Sequence, residues 1–279
     1  MSVARLMQMG AAGVPAGGGV VWTNPDLANA SYDSVSFSVA GQEANPAGLA
    51  FSEDGTRFYV TGTAGDDINE YSLSTAWDIT SATFVQAFLV QTQDNLPQDV
   101  FFGDSGSKMF VVGTQNDSVY RYDLSTAYDV STASYVSTFS VATQNTTPSG
   151  LFFKADGTKM YVVGQTSPQS IYQYTLSTAW DITSAVFTSS FSVSGQEIFP
   201  KNIFFSPDGT KLFNPGGAGD DVNEYDLSTS WDISTASFLR SFSVASQETS
   251  PTGLWFKSDG SKMYVMGSAT DTIYQYSTA

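Results

Sequence analysis

Apolar and polar positions recur along this chain in a fixed order of four short segments. The first is a continuous apolar run, GLAFS at 48 or GLWFK at 253, and its continuity predicts an inner strand buried on both faces. The second is RFYVTG at 57 or KMYVVG at 159, and the third INEYSL at 68 or IYQYTL at 171. The fourth, TFVQAFLV at 83 or SFLRSFSV at 237, mostly alternates and is more polar. Beyond the N-terminal leader no segment sustains a helical period.

The order is an internal repeat. Gly55, Gly106, Gly157, Gly209 and Gly260 are spaced by 51, 51, 52 and 51 residues, as are Pro46, Pro97, Pro148, Pro200 and Pro251. The extra residue lies between Gly164 and Ile171. In SPDG, residues 206–209, Pro207 fixes φ near −65° and so excludes a type I′ turn, which needs positive φ. A type I turn followed by a left-handed glycine fits instead. The turns at Asp54-Gly55, Asp156-Gly157 and Asp259-Gly260 are expected to match it. Four-stranded antiparallel units repeating at this length predict an all-β, five-bladed β-propeller.

A second phrase explains how the ring closes. LSTAWDIT at 73 returns as LSTAYDVS at 124, LSTAWDIT at 176 and LSTSWDIS at 227, but the chain ends at YQYSTA where a fifth is due. The last copy lacks its fourth strand, while an unattached one, SYDSVSFSVAG at 31–41, precedes the first copy. That N-terminal strand is expected to complete blade 5 through Val35, Phe37 and Val39. Each such side chain contributes about 1.5–3 kcal/mol when fully buried. The phrase is missing because its junction falls at the gap between the chain ends. The domains expected are a Gly-rich leader or anchor, 1–30, and a propeller, 31–279.

Charge and composition narrow the function. Acids outnumber bases 27 to 11, a net charge of −16, which disfavours nucleic acid and anionic membranes. The chain has no Cys and no His; this removes thiolate chemistry, Ser-His-Asp catalysis and the usual zinc sites. No run is long enough for a membrane span. Gln8 and several glycines interrupt the leader's apolar stretch, so a Gly-rich leader is expected rather than a signal peptide.

Antiparallel connectivity sorts the loops into two faces. The loops joining strand four to the next strand one, and strand two to strand three, share the face called top here. The top collects Glu43, Asp94, Glu197 and Glu248 from one loop type, with Asn145 the exception, and Asp66, Asp117, Asp220 and Asp271 from the other. Such a rim suits Ca²⁺, although no EF-hand spacing is present; a solvated acidic face is the expectation, with no cofactor. The five glutamines Gln42, Gln93, Gln144, Gln196 and Gln247 either ring the channel mouth or tether loops. On the bottom, Trp77, Tyr128, Trp180 and Trp231 are each followed by an acid, Asp78, Asp129, Asp181 and Asp232. Ring plus carboxylate suits stacking on a glycan. The favoured reading is a wedge between blades, with the ring as core and the carboxylate bonded to turn backbone. Asp99 and Asn202, the latter next to Lys201, stand where other copies have glycine, and with NPGG at 214 they are the only hints of an asymmetric site. No spaced carboxylate pair stands out, so the chain is expected not to be an enzyme.

FSPDGTKLF at 205 and FKADGTKMYVVG at 153 resemble YVTN-type and gluconolactonase-like propellers over five copies. That resemblance implies the fold; the Glu/Asn/Asp metal set of a gluconolactonase-like site has no counterpart that the sequence places. The leader MSVARLMQMGAAGVPAGGG with LSTAWDIS-type repeats resembles virion proteins of marine tailed bacteriophages. The implied protein is a non-enzymatic tail or appendage component in the virion, docked on other virion proteins through residues 1–30 and turned toward a host-surface glycan. A secreted lectin-like or scaffold propeller, and a propeller hydrolase or lactonase, are the alternatives.

Overall fold

A computed structural model describes Trp22, Pro25 and residues 27–278. The chain forms five four-stranded antiparallel sheets. Blade 1 comprises Pro46–Phe51, Arg57–Gly62, Asp67–Leu73 and Ala82–Leu89, in that order from the axis outward. Blades 2 and 3 begin at Pro97 and Pro148 and end at Ser140 and Ser192; blade 4 runs from Phe204 to Ser243. The inner strand of blade 1 is buried along almost its whole length, whereas its outer strand alternates between exposed and half-buried positions. The continuous and the alternating apolar patterns therefore mark distance from the axis.

The fifth blade is completed from the other end of the chain. Ser31–Ser38 pairs antiparallel with Thr272–Ser277, setting Phe37 opposite Ile273 and Ser36 opposite Tyr274. Val39 is fully buried; Val35 and Phe37 are half-buried and pack against the core of the first blade. Asp33 adds a polar fastener: its carboxylate receives Lys262 Nζ at 2.6 Å, Gln275 Nε2 at 2.8 Å and Ser277 Oγ at 2.6 Å. Trp22, Pro25 and Leu27, within the expected leader, also pack on the propeller, with Pro25 and Leu27 buried.

The turns from strand one to strand two use left-handed glycines, with φ of 68° at Gly55 and 69° at Gly209. Blade 2 differs, because Asp104 and Ser105 also take positive φ before Gly106. Blade 4 departs most. Its regular inner strand is only Phe204–Phe205. Pro215 lies in the neighbouring strand, where it has no N–H to give the ladder. Asn214 compensates in part, donating from Nδ2 to the Asn202 carbonyl at 2.6 Å.

The axis is filled. Successive inner strands place Phe101, Phe152, Phe204 and Trp255 around it, with ring centroids 5.1, 5.5 and 5.4 Å apart in turn. Blade 1 has Ala50 at the corresponding position.

Candidate functional site

The aromatic loops form the wedge. Trp77, Tyr128, Trp180 and Trp231 all hold positive φ, 63–66°, a backbone region costly for bulky residues. Contacts on both sides hold it. The Trp77 N–H donates to the Gly55 carbonyl at 2.9 Å, and its own carbonyl accepts Tyr264 Oη, from blade 5, at 2.7 Å. Tyr128 takes the Tyr59 hydroxyl at 2.6 Å and Trp231 the Tyr161 hydroxyl at 2.8 Å in the same way. Trp180 is buried against Phe110 and Phe153. The glycines beneath are required, since a Cβ at Gly55 would lie 2.2 Å from the Trp77 ring.

The following acids are committed locally. Asp78, Asp129, Asp181 and Asp232 cap short 3-10 turns, each accepting the backbone N–H two residues on. Asp129 also receives Gln86 Nε2 at 2.8 Å. The structure thus brings each ring and its neighbouring acid into a joint between blades.

The top acids divide into two sets. Glu43, Asp94, Glu197 and Glu248 are at most 1% exposed, which corrects the expectation that they form a solvated rim. They clamp loops: Glu43 accepts the N–H groups of Asn45 at 2.7 Å, Ala64 at 3.1 Å and Gly65 at 3.2 Å. Glu197 repeats this with Phe199, Ala218 and Gly219. Each carboxylate lies on the glycine that ends a second strand, such as Gly62, where a Cβ would meet Glu43 at 2.3 Å. Asp66, Asp117, Asp220 and Asp271 sit in left-handed turns, and their carbonyls accept the N–H groups of Val90, Val141, Val244 and Val39. No group of three potential metal ligands occurs among the described residues. Four glutamines, Gln42, Gln93, Gln144 and Gln247, accept hydroxyls from Tyr71, Tyr122, Tyr174 and Tyr276 and so tether loops.

The departures from symmetry converge near the axis. Asp99 is buried; it accepts the Leu151 N–H at 2.9 Å and Asn202 Nδ2 at 2.8 Å. Burial pushes its carboxyl well above the usual range, against the opposing pull of the Leu151 and Val100 N–H groups. Asn214 Oδ1 is buried with no partner among the described residues. Beside Asn202, Lys201 borders a depression of about 210 Å³ on the top face, shared with Asn45, Thr63, Gln98, Thr252 and Ser268. Its ammonium has no hydrogen-bonded or ion-pair partner among the described residues, and burial lowers its pKa while Glu197 opposes the shift. Ile198 and Phe199, just before it in the same loop, are 51% and 52% exposed. Other copies carry smaller or more polar residues there, apart from Leu96.

No protein-family model matches this chain, and no curated protein matches it. Solved structures share its fold. Similar ones include the periplasmic gluconolactonase of Pseudomonas aeruginosa, 17% identical over 83% of this chain and 66% of that one, with a TM-score of 0.48. A nidogen/laminin complex is similar at 13% identity over 82% and 74%, with a TM-score of 0.53. A protein described as a 6-phosphogluconolactonase from Bacteroides uniformis matches at 14% identity over 70% of this chain, with a TM-score of 0.47; the chain spans about half of that protein, 52%. The chain is a five-bladed β-propeller, and at these identities the likeness is one of fold. The expectation that it is not an enzyme is corrected here. Proteins named as lactonases stand among the solved structures similar to it. None of these comparisons points to a virion protein, and of residues 1–30, through which docking to a particle was expected, 1–21, 23, 24 and 26 lie outside the described residues.

Proposed function

We propose that the axial depression on the top face is the functional site and that it takes a small organic anion with an apolar part. One observation carries this reading: in a chain whose net charge is −16, the Lys201 ammonium has no hydrogen-bonded or ion-pair partner among the described residues and borders this depression. Elsewhere on this chain ammonium groups find partners, as Lys211 does with Glu224 and Asp226. A partly desolvated ammonium attracts a carboxylate or phosphate more strongly than an exposed one does. Gln98 offers a polar contact at the depression, and the exposed Ile198–Phe199 lip offers apolar surface.

Calorimetric titration with gluconate, phenylacetate and inorganic phosphate tests the reading. Binding of at least one is expected in the wild type, weakened about tenfold or more in Lys201→Met, a loss of roughly 1.4 kcal/mol. Equal affinity in both proteins, or no binding of any probe, would overturn it.

The lowered pKa of Lys201 favours a second reading at the same place. A greater neutral fraction at mild pH lets the amine act as a general base toward water attacking an ester or lactone. Turnover of δ-gluconolactone above the spontaneous rate, rising with pH and lost in Lys201→Met, is the expected result. A rate unchanged by that substitution would remove Lys201 from any reaction.

A further inference from the structure

The opposite face carries a site of different chemistry, independent of the anion reading. The rings of Phe101, Phe152, Phe204 and Trp255 crowd the axis, but Ala50 supplies none in blade 1. Phe101 and Trp255 approach each other across that position at 6.5 Å. A basin of about 190 Å³ lies at this end of the axis, lined by all four of these rings and walled also by Tyr128 and Trp231. A second hollow of about 170 Å³ adjoins it and shares Phe204, Trp255 and Glu53.

Among the described residues lining either hollow, Glu53 is the only carboxylate. Its backbone N–H donates to the Tyr128 hydroxyl at 3.3 Å, which fixes the residue beside the rings. Its carboxylate has no hydrogen-bonded or ion-pair partner among the described residues. Other blades place Ala155, Pro207 and Ser258 at this turn position, and Asp104 of blade 2 is paired with Lys108. One blade therefore lacks the axial ring and carries an unpaired acid at the same end. Burial and the neighbouring Asp54 push the Glu53 carboxyl above its ordinary value, as expected of a carboxylate without a cation.

We infer that this basin is a cage for a small alkylated ammonium ion. Aromatic faces attract a cation through their negative quadrupole, most strongly when its water is displaced. Alkyl groups on nitrogen reduce the cost of shedding that water and fill apolar space, while Glu53 supplies the opposite charge. A neutral apolar ligand would leave Glu53 poorly solvated for no return, and an anion would face it directly.

Choline and its uncharged isostere 3,3-dimethylbutan-1-ol are the probes, titrated into the full chain by calorimetry. Choline is expected to bind at least about tenfold more tightly. Glu53→Gln, at an exposed turn, should weaken choline about tenfold, leave the alcohol unchanged and leave thermal unfolding as in the wild type. Trp255→Leu should weaken both. Co-sedimentation with phosphatidylcholine vesicles separates sources: retention alongside choline binding assigns the ammonium to a lipid headgroup, and its absence assigns it to a free solute. Equal affinity for the two probes, no choline binding, or choline binding unaffected by Glu53→Gln would overturn the cage.

Discussion

Trp22 lies over Gly260, its ring 3.2 Å from where a Cβ would stand. Trp77 covers Gly55, Tyr128 Gly106, Trp180 Gly157 and Trp231 Gly209 in the corresponding way. The fifth wedge thus comes from ahead of the first repeat. It stacks on Phe204 and meets the edge of Phe256, with ring centroids 6.3 and 6.1 Å away. Trp22→Ala should destabilise the propeller by about 1–3 kcal/mol, less than a fully buried tryptophan because the ring is half-exposed. Chemical denaturation checks this; an unchanged midpoint would leave the fifth joint without its wedge.

Trp180→Ala separates the two meanings of the aromatic loops. The ring is 9% exposed and packs on Phe153 of its own blade and Phe110 of blade 2. A loss of about 3–5 kcal/mol in stability is expected. Stability close to wild type would argue that the ring is held for a ligand instead.

Ring closure has a pH signature at Asp33. Burial works to raise its carboxyl, but the bonds from Lys262, Ser277 and Gln275 outweigh it and hold the pKa below the ordinary value. A depressed carboxyl stabilises the fold above its unfolded pKa, and that contribution is lost as pH falls through the folded value. Asp33→Asn should therefore cost about 1 kcal/mol near neutrality. The gap from wild type should close under acid. A gap constant with pH would show that the bonds do not depend on the charge.

Asp99 has the opposite sign. Its raised carboxyl favours the protonated folded state, so wild-type stability is penalised as pH rises from the unfolded pKa toward the folded one. Thermal melts of Asp99→Asn should lack that decline. Parallel melting curves over the acid range would contradict the burial argument.

Sequence made the ring legible because its period, its strand order and the missing fifth LSTAWD all follow from linear spacing. The symmetry-breaking cluster was also legible: Asp99, Asn202, Lys201 and the NPGG at 214 each depart from a counted pattern. Trp22 was not, since its equivalence to Trp77 exists only after the ring closes. The burial of Glu43 was missed because a carboxylate reads as solvated until its donors are known. A signal was present, since Gly62, Gly113, Gly164, Gly216 and Gly267 recur where each clamp residue must lie. The axial rings were hidden because a continuous apolar strand does not say which side chains meet across the axis.

The account as a whole turns on Lys201, and its side chain reports directly. In lysine-¹³C-labelled protein, with Lys201 assigned through Lys201→Arg, its ε-carbon should titrate below the ordinary lysine value. Adding an anion that binds should move that resonance and leave those of Lys159 and Lys211 in place. A Lys201 signal that titrates like an exposed lysine and ignores every anion would contradict the assignment of the axial depression as the functional site.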